Sequence, residues 1–245
     1  MGSDINGADD QTPQANDNII RIPTLKERDA LRREKEKLEY KLAGAAEPMI
    51  NMPPVTKYLM ASMLVVFLVV HYALTPDEAQ NIIFNYGFIP EHFSKGDFGG
   101  TNLLTPFTHM FLHGSWTHLV MNLFMLAAFG SGIERWIGSR RMVILFIVSG
   151  LFGVAFHYFL NASSEFPMIG ASGGLSGLFA GAIVMLNRGQ REMGGRVGIL
   201  PFALIWIGLS IGFGMLGGPD GSMIAWAAHV GGFLGGFAVL KLMRV

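Results

Sequence analysis

MVILFIVSGLFGVAFHYFL, residues 142–160, runs for 19 residues without an aspartate, glutamate, lysine or arginine. Coiled as an α-helix it extends roughly 28 Å, close to the roughly 30 Å hydrocarbon core of a bilayer. Arg140 and Arg141 close it off at one end. Working outward in both directions, five more apolar segments of similar length follow, at about 58–74, 115–133, 169–187, 197–215 and 223–240. Together they predict an all-α, polytopic membrane protein with a bundle of six transmembrane helices. The glycines and polar residues inside these segments are costly against lipid, so parts of several helices must face protein or water.

The composition agrees. Of 245 residues 51% are hydrophobic and only 15% charged, and the mean hydropathy is +0.40. Residues 1–57 hold 19 of the 36 acidic and basic side chains, and the 188 that follow hold 17. So little charge excludes an ordinary soluble enzyme, whose surface needs more. The absence of cysteine excludes a disulfide scaffold. A formal net charge of zero provides no electrostatic footprint for nucleic acid.

The chain therefore divides into a polar segment, 1–57, and a membrane domain, 58–245. Residues 1–20, rich in Asp, Asn, Gln and Gly, read as a disordered tail. Thr24-Leu25-Lys26-Glu27 has capping-box spacing, which predicts a charged helix over about 24–43, ending near Gly44. Its thin apolar stripe suits a solvated helix laced with weak ion pairs, or a partner-binding helix. No signal peptide is expected, since the first apolar run follows 57 mostly polar residues.

With six spans, Lys57, Arg135, Arg140, Arg141, Arg188, Arg191, Arg196, Lys241 and Arg244 fall on one side, and Lys95 on the other. The positive-inside rule then places both termini in the cytoplasm. The long connection 75–114 lies on the outer side. Its apolar, turn-forming run Tyr86-Gly87-Phe88-Ile89-Pro90 suggests that it dips into the membrane interface.

Four side chains inside the spans can do chemistry: His118 and Asn122 in span two, Ser172 in span four, and His229 in span six. His118 and Asn122 are four apart and share a helix face, as interhelical polar contacts or as hydrogen-bond donors to a ligand. At 1.5 Å per residue, Ser172 lies roughly 24 Å from Arg188, and His229 roughly 18 Å from Lys241. Both therefore sit in the outer half of the membrane. Gly173, Gly177 and Gly181 recur every four residues, as do Gly231 with Gly235 and Gly232 with Gly236. Such small-residue ridges let helix backbones approach closely. A serine hydroxyl beside an imidazole is the minimum apparatus for acyl transfer. His118, Asn122 and the Ser172 backbone N–H are the candidate donors to its oxyanion. Glu134 lies at the inner end of span two, too far to orient His229, so the expectation is a dyad.

The motifs around these residues resemble those of the rhomboid intramembrane serine proteases. His118-Leu119-Val120-Met121-Asn122 matches the family's histidine–asparagine element and follows His113-Gly114-Ser115-Trp116. Glu134-Arg135-Trp136-Ile137-Gly138 resembles the turn after span two. Gly170-Ala171-Ser172-Gly173 resembles the nucleophile motif, and Ala228-His229-Val230-Gly231-Gly232 the last-span histidine motif. The resemblance covers about residues 55–245. It implies that Ser172 is the nucleophile, His229 the base, His118 with Asn122 part of the oxyanion hole, and His113 a support for the loop and the water-accessible cavity. Leu104-Thr105 stands where some bacterial members carry a Trp-Arg pair. Gly174-Leu175-Ser176-Gly177 also fits a glycine–any–serine–glycine pattern, so Ser176 is the alternative nucleophile; the family's glycine five residues after the nucleophile fits Ser172 through Gly177.

His71 and His157 read as structural, His92 and His109 as loop residues. No His/Asp/Glu cluster has metal-ligand spacing, and no pair of buried aspartates supports an aspartyl mechanism; no cofactor is expected. The reading is of an integral, multi-pass protein of a bacterial inner membrane that cleaves transmembrane substrates near the outer face. Span five and the turn Gly217-Gly218-Pro219-Asp220 would gate water and substrate. The rivals are a catalytically inactive relative that escorts membrane proteins, and a solute transporter, for which no internal repeat is visible.

Overall fold

The computed structural model describes residues 24–46, 52–192, 198–216 and 225–245. The expected tail, 1–20, and the turn at 217–220 lie outside them. The chain divides into two compact units, Met1–Asn51 and Met52–Val245.

In the first unit, helix α1 spans Leu25–Ala46. The capping box forms: the Thr24 backbone N–H donates to Glu27 Oε2 at 2.8 Å, and the Glu27 N–H donates to Thr24 Oγ1 at 3.4 Å. Leu25, Leu31 and Leu38 are all exposed.

The second unit is helical. α2 runs Pro54–Leu68 and continues as a π-helical turn, Val69–Ala73. Two short helices, α3 (Pro76–Tyr86) and α4 (Pro90–Ser94), and the turn-like α5 (Thr105–Thr108) fold up the connection. α6 (Trp116–Met125), a π-helical turn and α7 (Ser131–Ile137) form one long rod. α8 (Ser139–Leu160), α9 (Ser172–Glu192), α10 (Ile199–Leu216) and α11 (Trp226–Leu242) complete the bundle. The rods Pro54–Ala73, Trp116–Ile137 and Ser139–Leu160 are long and apolar enough to cross a membrane; Ile199–Gly212 and Trp226–Leu242 are shorter apolar helices. Each of the six expected segments overlaps a helix among the described residues, with one shift that matters. Span four was expected from about 169, but its helix begins at Ser172, because Gly170 has φ +114°, a conformation that ends a right-handed helix and favours glycine.

The unit begins before residue 58 for a physical reason. Glu134, 4% exposed, binds the start of α2. Its Oε1 accepts the Val55 N–H at 3.0 Å and the Ser139 hydroxyl at 2.8 Å. Its Oε2 accepts the Thr56 N–H and hydroxyl, both at 2.8 Å. First-turn amides have no acceptor within their own helix, and a carboxylate there also meets the positive end of the helix dipole. One side chain thus joins α2, α7 and α8. Between α7 and α8 the chain reverses at Gly138, φ +83°.

α8, α9 and α11 pack against one another through their glycines. A β-carbon on Gly232 would overlap the Gly173 carbonyl oxygen, and one on Gly236 would lie 2.7 Å from Gly177 Cα. On the neighbouring face of α11, Gly231 and Gly235 sit against Phe156 and Phe152 of α8. The two ridges thus serve two different partners. Met63, Phe67, Leu119, Leu126, Ile133, Met142, Phe146 and Leu175 fill the space beside α2 and α6.

The run Gly87–Pro90 does not face the interface. It is buried, and Phe88 exchanges backbone hydrogen bonds with Met168 at 3.0 and 2.8 Å. Backbone polar groups there find partners in the strand-like pairing, so the apolar side chains pack inside the protein.

Candidate active site

Ser115 starts α6 as its N-cap, its hydroxyl accepting the His118 N–H at 3.1 Å. That fixes the first turn, from which His118 and Asn122 project one turn apart. Asn122 is buried and donates Nδ2–H to the His118 carbonyl at 3.1 Å. Facing them is Gly170, whose N–H donates to the His109 carbonyl at 2.8 Å. A β-carbon on Gly170 would come within 2.5 Å of His118 Nε2 and 3.8 Å of Asn122 Nδ2. The segment leading into Ser172 therefore lies directly against both predicted oxyanion donors.

Ser172 is the first residue of α9 and is half-buried. The first-turn amides of such a helix have no partners within it and point out of its positive end, an arrangement suited to developing negative charge. Ser176 differs. It is fully buried, and its hydroxyl donates to the Ser172 carbonyl at 2.7 Å.

His229 reaches the same place through backbone contact. The Ala228 carbonyl wedges between α8 and α9: β-carbons on Gly153 and Gly173 would stand 2.7 and 3.4 Å from it. Ser172 and His229 each thus adjoin a residue at the α9–α11 contact. Among the described residues the two side chains share no hydrogen bond. The His229 ring instead lies 6.5 Å from the Trp206 ring of α10, which in turn packs 4.6 Å from Phe179.

His113 and His118 meet edge to face at 5.0 Å. His113 donates Nδ1–H to the Phe111 carbonyl at 3.3 Å. That leaves Nε2 buried without a partner. Burial, reinforced by the nearby His118, pushes its pKa down to about 3. His109 donates Nδ1–H to the Thr105 carbonyl at 3.0 Å, and burial lowers its pKa to about 4. His71 bonds the Phe67 carbonyl at 3.0 Å and stacks on that ring; His157 sits beside Asn161. Among the described residues no three His, Cys, Asp or Glu converge closely enough to hold a metal ion.

Two neighbours of the predicted site residues could not be read from the sequence. Trp206 sits in a uniformly apolar helix whose pattern singles out no position. His109 read as a loop residue, but its backbone carbonyl, not its ring, holds Gly170, and no side-chain motif reports a carbonyl.

Apolar helices drawn together by glycine, with serine, histidine and asparagine gathered at one end, define a polytopic membrane protein with a polar centre among its helices. A family model described as the rhomboid domain matches residues 101–244, and the chain belongs to the rhomboid family. It is 32% identical over 136 residues to Rhomboid protease GluP of Bacillus subtilis, covering 55% of this chain and 24% of the relative. To RHOMBOID-like protein 5 of Arabidopsis thaliana it is 31% identical over 128 residues, 52% of this chain and 40% of the relative. To Rhomboid protease GlpG of Salmonella choleraesuis it is 28% identical over 139 residues, 54% and 46%. The matched region thus spans less than half of each of these relatives.

Proposed function

We propose that the protein is an intramembrane serine endopeptidase that cleaves transmembrane segments of other proteins near the face at which α9 begins. Ser172 attacks the scissile carbonyl, and His229 takes the serine proton and returns it to the leaving amine. His118, Asn122 and the first amides of α9 stabilise the oxyanion. The observation that carries this reading is the close approach of Gly173 to Ala228 and Gly232, which sets Ser172 and His229 on abutting helices beside His118, Asn122 and Gly170. The hydroxyl–imidazole bond forms by side-chain rotation when substrate enters, as catalytic hydrogen bonds often tighten only in the complex. Ser176 is a poor nucleophile, since its hydroxyl is buried and already donated.

The clustering of Lys57, Arg135, Arg140, Arg141, Arg188, Lys241 and Arg244 at one end of six spans supports cytoplasmic termini and cleavage near the outer face. A bacterial inner membrane is part of this proposal; both bacterial and plant relatives match. Helical peptide bonds are shielded, so substrates with helix-weakening residues near the cleavage point are favoured.

The test is cleavage of a model transmembrane substrate by purified protein. Ser172→Ala and His229→Ala are expected to lower turnover at least about a thousandfold, and Ser176→Ala to leave it nearly intact. Loss in Ser176→Ala with survival in Ser172→Ala would overturn the nucleophile. The missing Ser172–His229 hydrogen bond favours one other reading, a non-catalytic member that binds membrane proteins. A fluorophosphonate probe that fails to label the solubilised wild type would establish it.

A further inference from the structure

A cavity of about 140 Å³ lies between α9, the α6–α7 rod and the start of α10. Ala182, Ile183, Leu186 and Asn187 form its α9 wall, with Phe129 of the rod opposite. Gly198 and Phe202 border it on the α10 side. Asn187 is the one polar side chain among the described residues that line it. A water there would have too few polar partners. The rim is apolar and open: Leu186 and Phe202 are 60% and 43% exposed, and Leu200 of α10 is 66% exposed. In a membrane bundle that exposure is to acyl chains.

The depth of the cavity matches one leaflet. From Asn187 to Phe179 its wall runs roughly 12 Å along α9, against roughly 15 Å for half of the hydrocarbon core. The floor is aromatic: Phe179 packs 5.0 Å from Phe129 and 4.6 Å from Trp206. The mouth is basic. Arg188 directly follows Asn187, and its guanidinium lies over the Trp136 ring of α7 at 5.9 Å. An exposed arginine beside a tryptophan at a helix end marks the level of the headgroups. The segments joined there, 134–141 and 187–198, carry Arg135, Arg140, Arg141, Arg188, Arg191 and Arg196 against Glu134 and Glu192. Glu134 is already bound to α2 and Ser139. Basic clusters between membrane helices select anionic headgroups.

We propose that this cavity binds one acyl chain of an anionic phospholipid, drawn from the leaflet opposite the one in which α9 begins, with Arg188 and Asn187 receiving the phosphate. The acyl chain fills the gap between α10 and the rod and braces the one against the other. A free phosphate compound meets Arg188 but gains nothing from the apolar wall. The inference rests on the membrane placement of the chain and not on its chemistry.

The full chain in detergent is titrated with phosphatidylglycerol, phosphatidylcholine or soluble glycerol phosphate, and bound ligand is counted by native mass spectrometry. One phosphatidylglycerol per chain is expected, bound about fivefold more tightly than phosphatidylcholine, with no uptake of glycerol phosphate. Arg188→Gln is expected to bring phosphatidylglycerol to the phosphatidylcholine level. Ala182→Phe, which fills the cavity, is expected to weaken both lipids at least about tenfold. Leu186→Trp narrows the rim from an exposed position and is expected to do the same, which keeps the test intact if Ala182→Phe misfolds. A phosphatidylglycerol with a diazirine near the end of one chain, photolysed in vesicles, is expected to label α9 and the start of α10, and to lose that label in Leu186→Trp. Glycerol phosphate binding as tightly as the lipid overturns the proposal in favour of a bare anion site. So does phosphatidylglycerol binding that is unchanged in the folded cavity variants, a preference for it that survives Arg188→Gln, or label spread evenly over all the spans, which marks bulk lipid.

Discussion

His109 and His113 are buried imidazoles held neutral, each giving its Nδ1 hydrogen to a backbone carbonyl. Their pKa values lie at about 4 and about 3, below the ordinary 6.5. When the folded value is the lower one, the unfolded chain takes up protons first as the solution is acidified. The stabilisation is complete above about pH 6.5 and is lost as pH falls from there toward 4. Thermal unfolding in one detergent, scanned from pH 7.5 to 4.5, is expected to show a falling Tm. His109→Asn, which keeps a donor for the Thr105 carbonyl but cannot titrate, is expected to flatten that slope. A wild-type Tm unchanged across the window would refute the assignment.

The helices depend on two kinds of contact that differ in how they fail. Glu134 accepts four hydrogen bonds, from donors that have no other acceptor among the described residues. Glu134→Gln turns one of its oxygens into a donor facing donors. It is expected to cost about 2–4 kcal/mol, read as a lower Tm or unfolding midpoint in the same micelles. The milder Thr56→Val, which removes one of these donors, is expected to cost about 1 kcal/mol. Glycine acts by absence. At Gly232 a β-carbon would overlap the Gly173 carbonyl oxygen, whereas at Gly212 of α10 nothing lies within 4 Å. Gly232→Ala is therefore expected to force α9 and α11 apart and to abolish both compact folding and cleavage. Gly212→Ala is expected to be neutral or stabilising by up to about 1 kcal/mol. Equal effects of the two on Tm would show that backbone contact does not set the α9–α11 spacing.

Across the whole molecule, packing is uneven. α8, α9 and α11 interlock, but α10 leaves Leu200, Leu204, Ile205 and Leu209 exposed. It meets the rest through Ala203, Trp206 and Ile207. An apolar cavity of about 140 Å³ remains among Phe129, Phe179, Ile183 and Phe202, between the α6–α7 rod and α10. A sparsely packed element is the one that opens at low cost, and moving α10 also moves Trp206 off His229. Cross-linking cysteines placed at Phe129 and Phe202 is expected to suppress substrate cleavage at least tenfold, with recovery on reduction. Full turnover in the cross-linked protein would exclude α10 as the gate.

Much of this was legible in residues 142–160 and their five counterparts, because a bilayer accepts little besides apolar helices. The sequence alone determined the all-helical, membrane-embedded class and the approximate place of its long apolar helices, the polar N-terminal segment, and the motifs that carry Ser172, His118, Asn122 and His229; it did not show α3, α4 and α5 in the connection. Periodicity in steps of four also marked the glycine ridges. Tertiary structure alone decided which ridge meets which helix, that Gly170 turns the chain and makes Ser172 a helix start, and that the Gly87–Pro90 run is buried. The physical reason is that apolarity is a property of each side chain. Close approach, a positive φ, or a carbonyl at hydrogen-bond distance exists only between segments that the fold has brought together.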